Sequence, residues 1–244
     1  MFYNVVKDGD AVSYVPTTAG KILLIVILAV LLAAAAFFAR KRAVTKKPPT
    51  GAPGADSPTK RKKGASARIT AKQMAFCAMA IALGTVLSNL KVYEFPFGGS
   101  ITLLSMLIIC LPGYWFGLEA GLITGIAYGV LQLIIDPYVI HPVQLLVDYP
   151  LAFGAFGLSG LFSDKKNGLL KGYAAGIIGR WIFATISGWI FFAEYAWEGW
   201  APLPYSLVYN GIYIFAEAAI TYLLLAIPYV RKTFARVKQI ALQP

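Results

Sequence analysis

The chain has 244 residues, of which 58% are apolar, and its formal net charge is +11. Several long uncharged runs place it among integral membrane proteins and exclude an ordinary water-soluble domain. The basic residues cluster beside the apolar runs, as topological signals do, which argues against a nucleic-acid-binding surface. Cys77 and Cys110 both fall within apolar runs, so they predict neither a metal site nor a disulfide framework.

Residues 1–42 are predicted to contain an extra transmembrane helix. Lys21 to Ala39 is an apolar run just long enough to span a bilayer, and the charges of Arg40, Lys41 and Arg42 follow it. A cleaved signal peptide carries its positive charges before the apolar run, so we predict an uncleaved anchor whose N-terminus lies outside. The alternative is a weakly inserted segment, because the end of the run is rich in alanine.

Residues 43–69 are predicted to form a flexible cytoplasmic linker. Four prolines alternate with Gly, Ser and Lys, and this composition cannot bury a core. The basic run from Lys60 to Lys63 either fixes the orientation of the chain or touches anionic lipid.

Residues 70–244 are predicted to form a six-helix membrane domain. The six spans are placed near 71–90, 101–117, 119–136, 142–163, 172–193 and 205–230. This number of spans puts every strongly basic segment on one side, namely the 40–72 loop, Lys165, Lys166, Lys171, Arg231, Lys232, Arg236 and Lys238. The positive-inside rule therefore predicts a multi-pass plasma-membrane protein with a cytoplasmic C-terminus and with Glu94, Asp136, Glu194 and Glu198 outside. The fold class is an all-α integral membrane protein.

The fourth of these spans contains ionisable groups. His141 and Asp148 are seven residues apart, so on a helix both side chains share one face. A carboxylate in hydrocarbon is costly, so Asp148 is expected to face a partner or a polar cavity, unless it merely meets lipid headgroups at a helix end. Pro150 is expected to kink this helix, and the glycines at 154, 157 and 160 to let a neighbouring helix approach closely.

Aromatic residues cluster at the predicted outer ends of the last two spans. They are Trp189, Phe191, Phe192, Tyr195, Trp197, Trp200, Tyr205, Tyr209 and Tyr213. Trp197 and Trp200 are typical of interface anchors, whereas the Asn210 amide either ties helices together or meets a polar ligand. Aromatic faces beside a carboxylate predict a site for a flat, cationic or amine-bearing organic molecule. No nucleophile–base, zinc-protease or phosphate-loop motif is present, so we predict a solute-binding protein whose energy comes from a partner.

The first span of this domain carries a stripe of alanines. Ala71, Ala75, Ala78 and Ala82 are spaced three or four apart and permit close contact with another helix. Spacing alone favours packing within the same chain over a partner surface.

Four motifs together resemble one known family. They are FGGSITL at 97–103, the stretch from Tyr138 to Phe162, SGWIFF at 187–192 and YSLVYNG at 205–211. In this order they resemble the thiamine-binding S-components of energy-coupling factor (ECF) transporters, the ThiT/YuaJ family. The resemblance implies a six-helix subunit that binds thiamine from outside, without a cofactor or enzymatic activity. It also implies docking on a transmembrane coupling protein with two ATPases, through a stripe that here is Ala75, Ala78 and Ala82.

The resemblance also implies a ligand site. The predicted ligand-binding residues are Tyr128, Tyr138, His141, Asp148, Trp189, Phe192, Tyr205 and Asn210. Relative to the family pattern, Asp148 replaces glutamate, Phe192 replaces tryptophan, and Ala184 replaces a histidine whose space Trp189 is expected to fill. These departures leave open a thiamine precursor or another heterocyclic vitamin as the ligand. A more remote alternative is an intramembrane enzyme that uses Asp148 with His141 or Glu217 as acid and base.

Overall fold

The computed structural model describes residues 3–8, 11–16, 70–96 and 98–243. Strands β1 (Tyr3–Asp8) and β2 (Ala11–Pro16) pair antiparallel. The predicted extra transmembrane helix from Lys21 to Ala39 and the 43–69 linker lie outside the described residues. Both therefore stay predictions, as do the domain boundaries drawn from them.

The described part from residue 70 onwards is a helical membrane domain. Its elements are α1 (Ala71–Asn89), β3 (Lys91–Glu94), β4 (Ser100–Thr102), α2 (Ser105–Phe116), α3 (Leu118–Ile135), α4 (Pro142–Phe162), α5 (Gly168–Phe191), α6 (Pro202–Ala226) and α7 (Pro228–Leu242). Among the described residues, five of these helices are long and apolar enough to cross a membrane, and α2 is a shorter apolar helix. The predicted all-α membrane class is confirmed.

Two predicted spans differ from the helices observed. The span placed at 101–117 begins only at Ser105, because Ser100–Thr102 pairs with Lys91–Glu94 as a hairpin. The span placed at 205–230 is two helices, since α6 ends at Ala226 and α7 begins at Pro228. Ile227 is extended, with ψ 117°, as the residue before a proline prefers. Apolar residues continue through this break in the sequence, so their pattern gave no sign of it.

Helix α4 packs through glycine, as its sequence predicts. A Cβ on Gly157 would lie 2.3 Å from the Leu122 backbone nitrogen, and one on Gly160 would lie 2.3 Å from that of Leu118. These distances leave no room for a side chain, so α4 and α3 meet backbone to backbone. On its other side, a Cβ on Gly172 of α5 would lie 2.7 Å from the Ser159 carbonyl oxygen.

Helix α4 is irregular around and after its proline. Residues Val147–Leu151 form a single π-helical turn that contains Pro150, followed by a 3-10 stretch from Ala155 to Phe162. Pro150 has no N–H to donate to the Leu146 carbonyl, so the predicted interruption occurs where expected. Asp148 lies inside this turn.

Candidate functional site

A cavity of about 450 Å³ lies among α1–α6 at the end of the domain that holds the β3–β4 hairpin. The hairpin covers part of it: the Tyr209 hydroxyl donates to the Gly98 carbonyl at 2.9 Å, and the Phe95 ring contacts those of Tyr209 and Tyr213. Gly99 has φ +84°, and a Cβ there would lie 2.6 Å from the Tyr213 ring. Only glycine combines that backbone conformation with so close an approach.

Asp148 lines the cavity and is held by Gln144. The Gln144 side chain is 1% exposed, and its Nε2 donates both to an Asp148 carboxylate oxygen and to the Tyr138 carbonyl at 3.1 Å. Its Oε1 accepts from the Ile140 N–H at 3.2 Å. One amide therefore fixes the position of the carboxylate and of the loop that carries Tyr138.

Aromatic rings surround the hairpin end of the cavity. Tyr138 and Phe192 are stacked with ring centroids 5.8 Å apart and an interplanar angle of 19°. The Tyr205 ring is 3% exposed and meets the edge of Trp197 with centroids 5.2 Å apart. Partial burial raises the pKa of the Tyr138 hydroxyl above its ordinary value.

Asn210 faces the cavity from α6. Its Nδ2 donates to the Ser206 carbonyl at 2.9 Å, and its Oδ1 accepts from the Tyr213 hydroxyl at 2.6 Å. Both partners lie on α6 itself, so the amide is held in place by its own helix. Ser206 makes the link between helices instead, because its hydroxyl donates to the Thr185 carbonyl of α5 at 2.8 Å.

Glu217 forms part of the cavity floor and caps helix α2. Its carboxylate accepts from the Thr102 N–H at 3.2 Å, the Ser105 hydroxyl at 3.2 Å and the Met106 N–H at 3.0 Å, and also from the Thr102 hydroxyl. Helix α2 follows Leu104, which is left-handed with φ 61° and has no capping side chain. A negative charge at a helix N-terminus satisfies its unpaired N–H groups, so Glu217 supplies from α6 the cap that α2 lacks.

Arg180 is a further charged residue of the cavity lining. Its guanidinium carbon lies 4.1 Å from the centroid of the Phe153 ring and 5.5 Å from that of Phe156. Its buried Nε and Nη1 have no hydrogen-bond partner among the described residues. Buried donors normally find an acceptor, so these N–H groups are available to water or to a bound molecule.

A small charge cluster marks the rim. Lys91 Nζ lies 2.7 Å from Glu94 and 3.3 Å from Asp136. The Glu94 hydrogen bond and the nearby Asp136 raise the pKa of Lys91. The described lining contains four carboxylates, those of Glu94, Asp136, Asp148 and Glu217, and two cationic side chains, those of Lys91 and Arg180. This excess of negative charge favours a cationic ligand.

The cavity brings together most, but not all, of the predicted ligand-binding residues. Those that line it are Tyr128, Tyr138, Asp148, Phe192, Tyr205 and Asn210. His141 and Trp189 are not among the lining residues. His141 is exposed: its Nδ1 accepts from the Val143 N–H at the start of α4, and its ring stacks on Phe191.

The position of Trp189 follows from helix geometry. Arg180, Ala184 and Gly188 of α5 line the cavity, as does Phe192, which follows the end of α5. The three helical residues are four apart and so lie within a sector of about 80°, whereas Trp189 is about 100° or more from each of them and is 48% exposed. The same spacing could have identified Arg180, which the sequence analysis missed. Gln144 and the capping role of Glu217 carried no comparable signal.

The alanine stripe of α1 faces outwards. Ala71, Ala75, Ala78 and Ala82 are all exposed, whereas Ala80, Gly84 and Ser88 form the buried face. The stripe therefore does not pack within the described chain, contrary to what spacing alone favoured, and is open to lipid or to another protein.

A family model described as "Thiamine transporter protein (Thia_YuaJ)" matches residues 74–236, which is more than half of the chain. The chain belongs to this family. The match runs from α1 into α7 and so includes every element that lines the cavity. The resemblance inferred from the four motifs is confirmed, as is a multi-pass membrane protein.

Relatives and a solved structure agree with this assignment. The thiamine transporter ThiT of Bacillus subtilis is 38% identical over 133 residues, which cover 49% of this chain and 69% of the relative. ThiT of Lacticaseibacillus paracasei is 35% identical over 124 residues, 46% of this chain and 60% of the relative. The solved structure of ThiT from Listeria monocytogenes superposes with a TM-score of 0.54 at 24% identity, covering 65% of this chain and 96% of that one. This last likeness shows the fold.

Proposed function

We propose that this protein is the substrate-binding subunit of an ECF-type vitamin transporter and that it binds thiamine in the cavity. The observation that carries the proposal is a carboxylate, Asp148, held by Gln144 in an aromatic-lined cavity with an excess of negative charge. Thiamine is a permanent organic cation with two flat rings. Ring faces and a desolvated carboxylate are the groups that bind such a molecule.

The roles of individual residues follow from their positions in the cavity. Asp148 is the counter-charge of the thiazolium ring, and Tyr138 with Phe192 provides the stacking face. Tyr205 and Tyr128 close the sides. Asn210 is pre-positioned by Ser206 and Tyr213 and offers its second carbonyl lone pair to an amine of the ligand.

Delivery of the ligand is proposed to depend on partners. The exposed stripe of Ala75, Ala78 and Ala82 would dock on the transmembrane coupling protein, which two ATPases drive. In this arrangement the hairpin end of the cavity faces outside, and the basic ends of α4 and α7 face the cytoplasm.

The decisive experiment is calorimetric titration of the purified protein with thiamine, with riboflavin and biotin as controls. We expect saturable, submicromolar binding of thiamine alone. Tryptophan fluorescence should change in parallel, because Trp197 contacts the cavity residue Tyr205. No heat with thiamine would contradict the proposal.

A second candidate ligand is the aminopyrimidine precursor of thiamine. It is compatible with the lining, because the Asp148 carboxylate can accept from an exocyclic amine and the aromatic faces can stack on a pyrimidine ring. Tighter binding of the free aminopyrimidine than of thiamine would select it.

A further inference from the structure

Helix α7 is an amphipathic helix that begins one residue after a membrane span. The sequence has no Asp or Glu after Glu217, whereas α7 alone carries Arg231, Lys232, Arg236 and Lys238. Ile227 is the sole link between α6 and α7, so the helix starts at the depth of the lipid headgroups. Its 15 residues extend for roughly 22 Å at 1.5 Å per residue.

The inner face of α7 packs on the membrane domain. Val230, Phe234 and Val237 contact the main hydrophobic cluster, and Ala241 is buried. These residues are three or four apart and therefore form one stripe along the helix. The inner face is fully used by this packing.

Helix α7 and the residue that follows it contact the ends of three other helices. Lys238 Nζ donates to the Ser163 carbonyl, just past the end of α4, and lies 4.2 Å from the centroid of the Tyr114 ring in the last turn of α2. Lys72 in the first turn of α1 donates to the Gln243 carbonyl at 3.1 Å. Helix α7 therefore lies across the ends of these helices.

The opposite edge of α7 points away from the protein. Tyr229, Arg236 and Ile240 are seven and four residues apart, so they lie on one line along the helix. That line is about 200° from Lys238, because Arg236 precedes Lys238 by two residues at 100° each. Tyr229 is 74% exposed and Ile240 is 53% exposed. An exposed aromatic and an exposed aliphatic side chain therefore flank an arginine at headgroup depth.

We propose that this edge, formed by Tyr229, Arg236 and Ile240 together with the adjacent Lys232, binds anionic phospholipid headgroups. Tyr229 and Ile240 enter the boundary between headgroups and acyl chains, while Arg236 and Lys232 reach the phosphates. Charge complementarity favours anionic lipid over zwitterionic lipid, since no carboxylate of α7 competes for these cations. The surface is separate from the cavity and does not depend on the ligand bound there.

The test is lipid binding by the full-length chain in neutral detergent. Phosphatidylglycerol and phosphatidylcholine are titrated separately, and native mass spectrometry measures the dissociation constant of each. We expect tighter binding of phosphatidylglycerol, and weakening of about fivefold for each charge removed in Lys232→Gln and Arg236→Gln. Arg236→Lys keeps the charge and should stay within about twofold of the unaltered chain.

The matched control is Lys165→Gln with Lys166→Gln. It removes two exposed charges from the loop between α4 and α5, at the same end of the domain. We expect less than about a twofold loss of phosphatidylglycerol binding in this control, since these lysines are not on the α7 edge. Two outcomes would overturn the proposal. One is an equal loss of phosphatidylglycerol binding in the control and in the double variant Lys232→Gln with Arg236→Gln. The other is unchanged binding in that double variant, which would leave an acidic protein surface as the occupant. Circular dichroism and size-exclusion chromatography verify that each variant is folded.

Discussion

The two halves of helix α4 are packed in opposite ways. In the C-terminal half, Gly157 and Gly160 bring the backbone against that of α3, with no side chain between them. In the N-terminal half, Gln144 and Asp148 extend polar side chains into a cavity, around a π-helical turn at Pro150. A single membrane span thus combines backbone-to-backbone packing with polar side chains that face a cavity.

The difference follows from the membrane environment. Helices in lipid gain little from hydrophobic contact with one another, so close backbone packing between small residues holds them together. Polar groups in the same environment are costly unless they are hydrogen-bonded. We therefore expect stability to depend on the glycine-packed half and ligand affinity on the polar half. Four substitutions test this separation.

The largest effect is expected for Gly157→Ala. The added Cβ would lie 2.3 Å from the Leu122 nitrogen, and a clash with backbone cannot be relieved by a side-chain rotation. The expected loss of stability is about 4 kcal/mol or more, and the melting temperature should fall by roughly 10 °C. Gly211→Ala is the control, because its nearest neighbour would be Trp181 Nε1 at an ordinary 3.4 Å. Similar melting temperatures for the two variants would contradict glycine packing.

Glu217→Ala is expected to lower stability although Glu217 lines the polar cavity. The reason is that the Glu217 carboxylate, on α6, holds the N-terminus of α2. The substitution would leave the Thr102 and Met106 N–H groups buried without an acceptor. The free energy of unfolding should therefore fall by about 1–3 kcal/mol. Thermal unfolding measures the loss, and Glu217→Gln, which keeps an acceptor oxygen, should recover part of it. An unchanged melting temperature for Glu217→Ala would show that α2 needs no cap.

Asp148→Asn should affect affinity without affecting stability. Replacing the charged acceptor should weaken thiamine binding by about 10- to 100-fold, because a hydrogen bond or ion contact to a charged group is worth roughly 1.5–3 kcal/mol. Calorimetry measures the affinity. Asp136→Asn removes the same charge from the exposed rim and should change it by only a few-fold, since exposed ion pairs contribute about 0–1 kcal/mol. Equal effects at both positions would remove Asp148 from the proposed site.

The smallest effect is expected for Trp189→Phe. Trp189 is 48% exposed and does not line the cavity, so thiamine affinity should stay within about twofold of the unaltered chain. Phe192→Ala on the same helix removes a cavity-lining ring and should weaken binding by about tenfold, because aromatic pairs contribute roughly 0.5–1.5 kcal/mol beyond the area they bury. A larger loss at Trp189 than at Phe192 would mean that α5 turns when the ligand binds.

Much of the candidate site could be predicted before the structure, because its residues carry a local signal. Asp148 is conspicuous as a charge within an apolar run, and the tyrosines and Asn210 belong to motifs shared with the family. Arg180 also had a signal, in its four-residue spacing from Ala184 and Gly188, but the aromatic content of the neighbouring Trp189 drew the prediction away from that face. His141 caps the start of α4 instead of lining the cavity, and its polarity is as typical of a helix start as of a ligand contact, so its role in binding stays a prediction.

The sequence by itself determined the membrane class, the approximate spans, the kink at Pro150, the glycine contact of α4 and the family. Each of these depends on a property that acts locally or repeats along one helix, such as apolar length, a missing N–H or a missing Cβ. Only the tertiary structure decided that Glu217 caps a helix more than 100 residues earlier in the chain, that Gln144 holds Asp148 and Tyr138 together, and that α7 turns back across the ends of three other helices. These arrangements join groups far apart in the chain or select one helix face among several. They depend on the tertiary structure because buried polar groups pair with whichever partner the packing brings within reach.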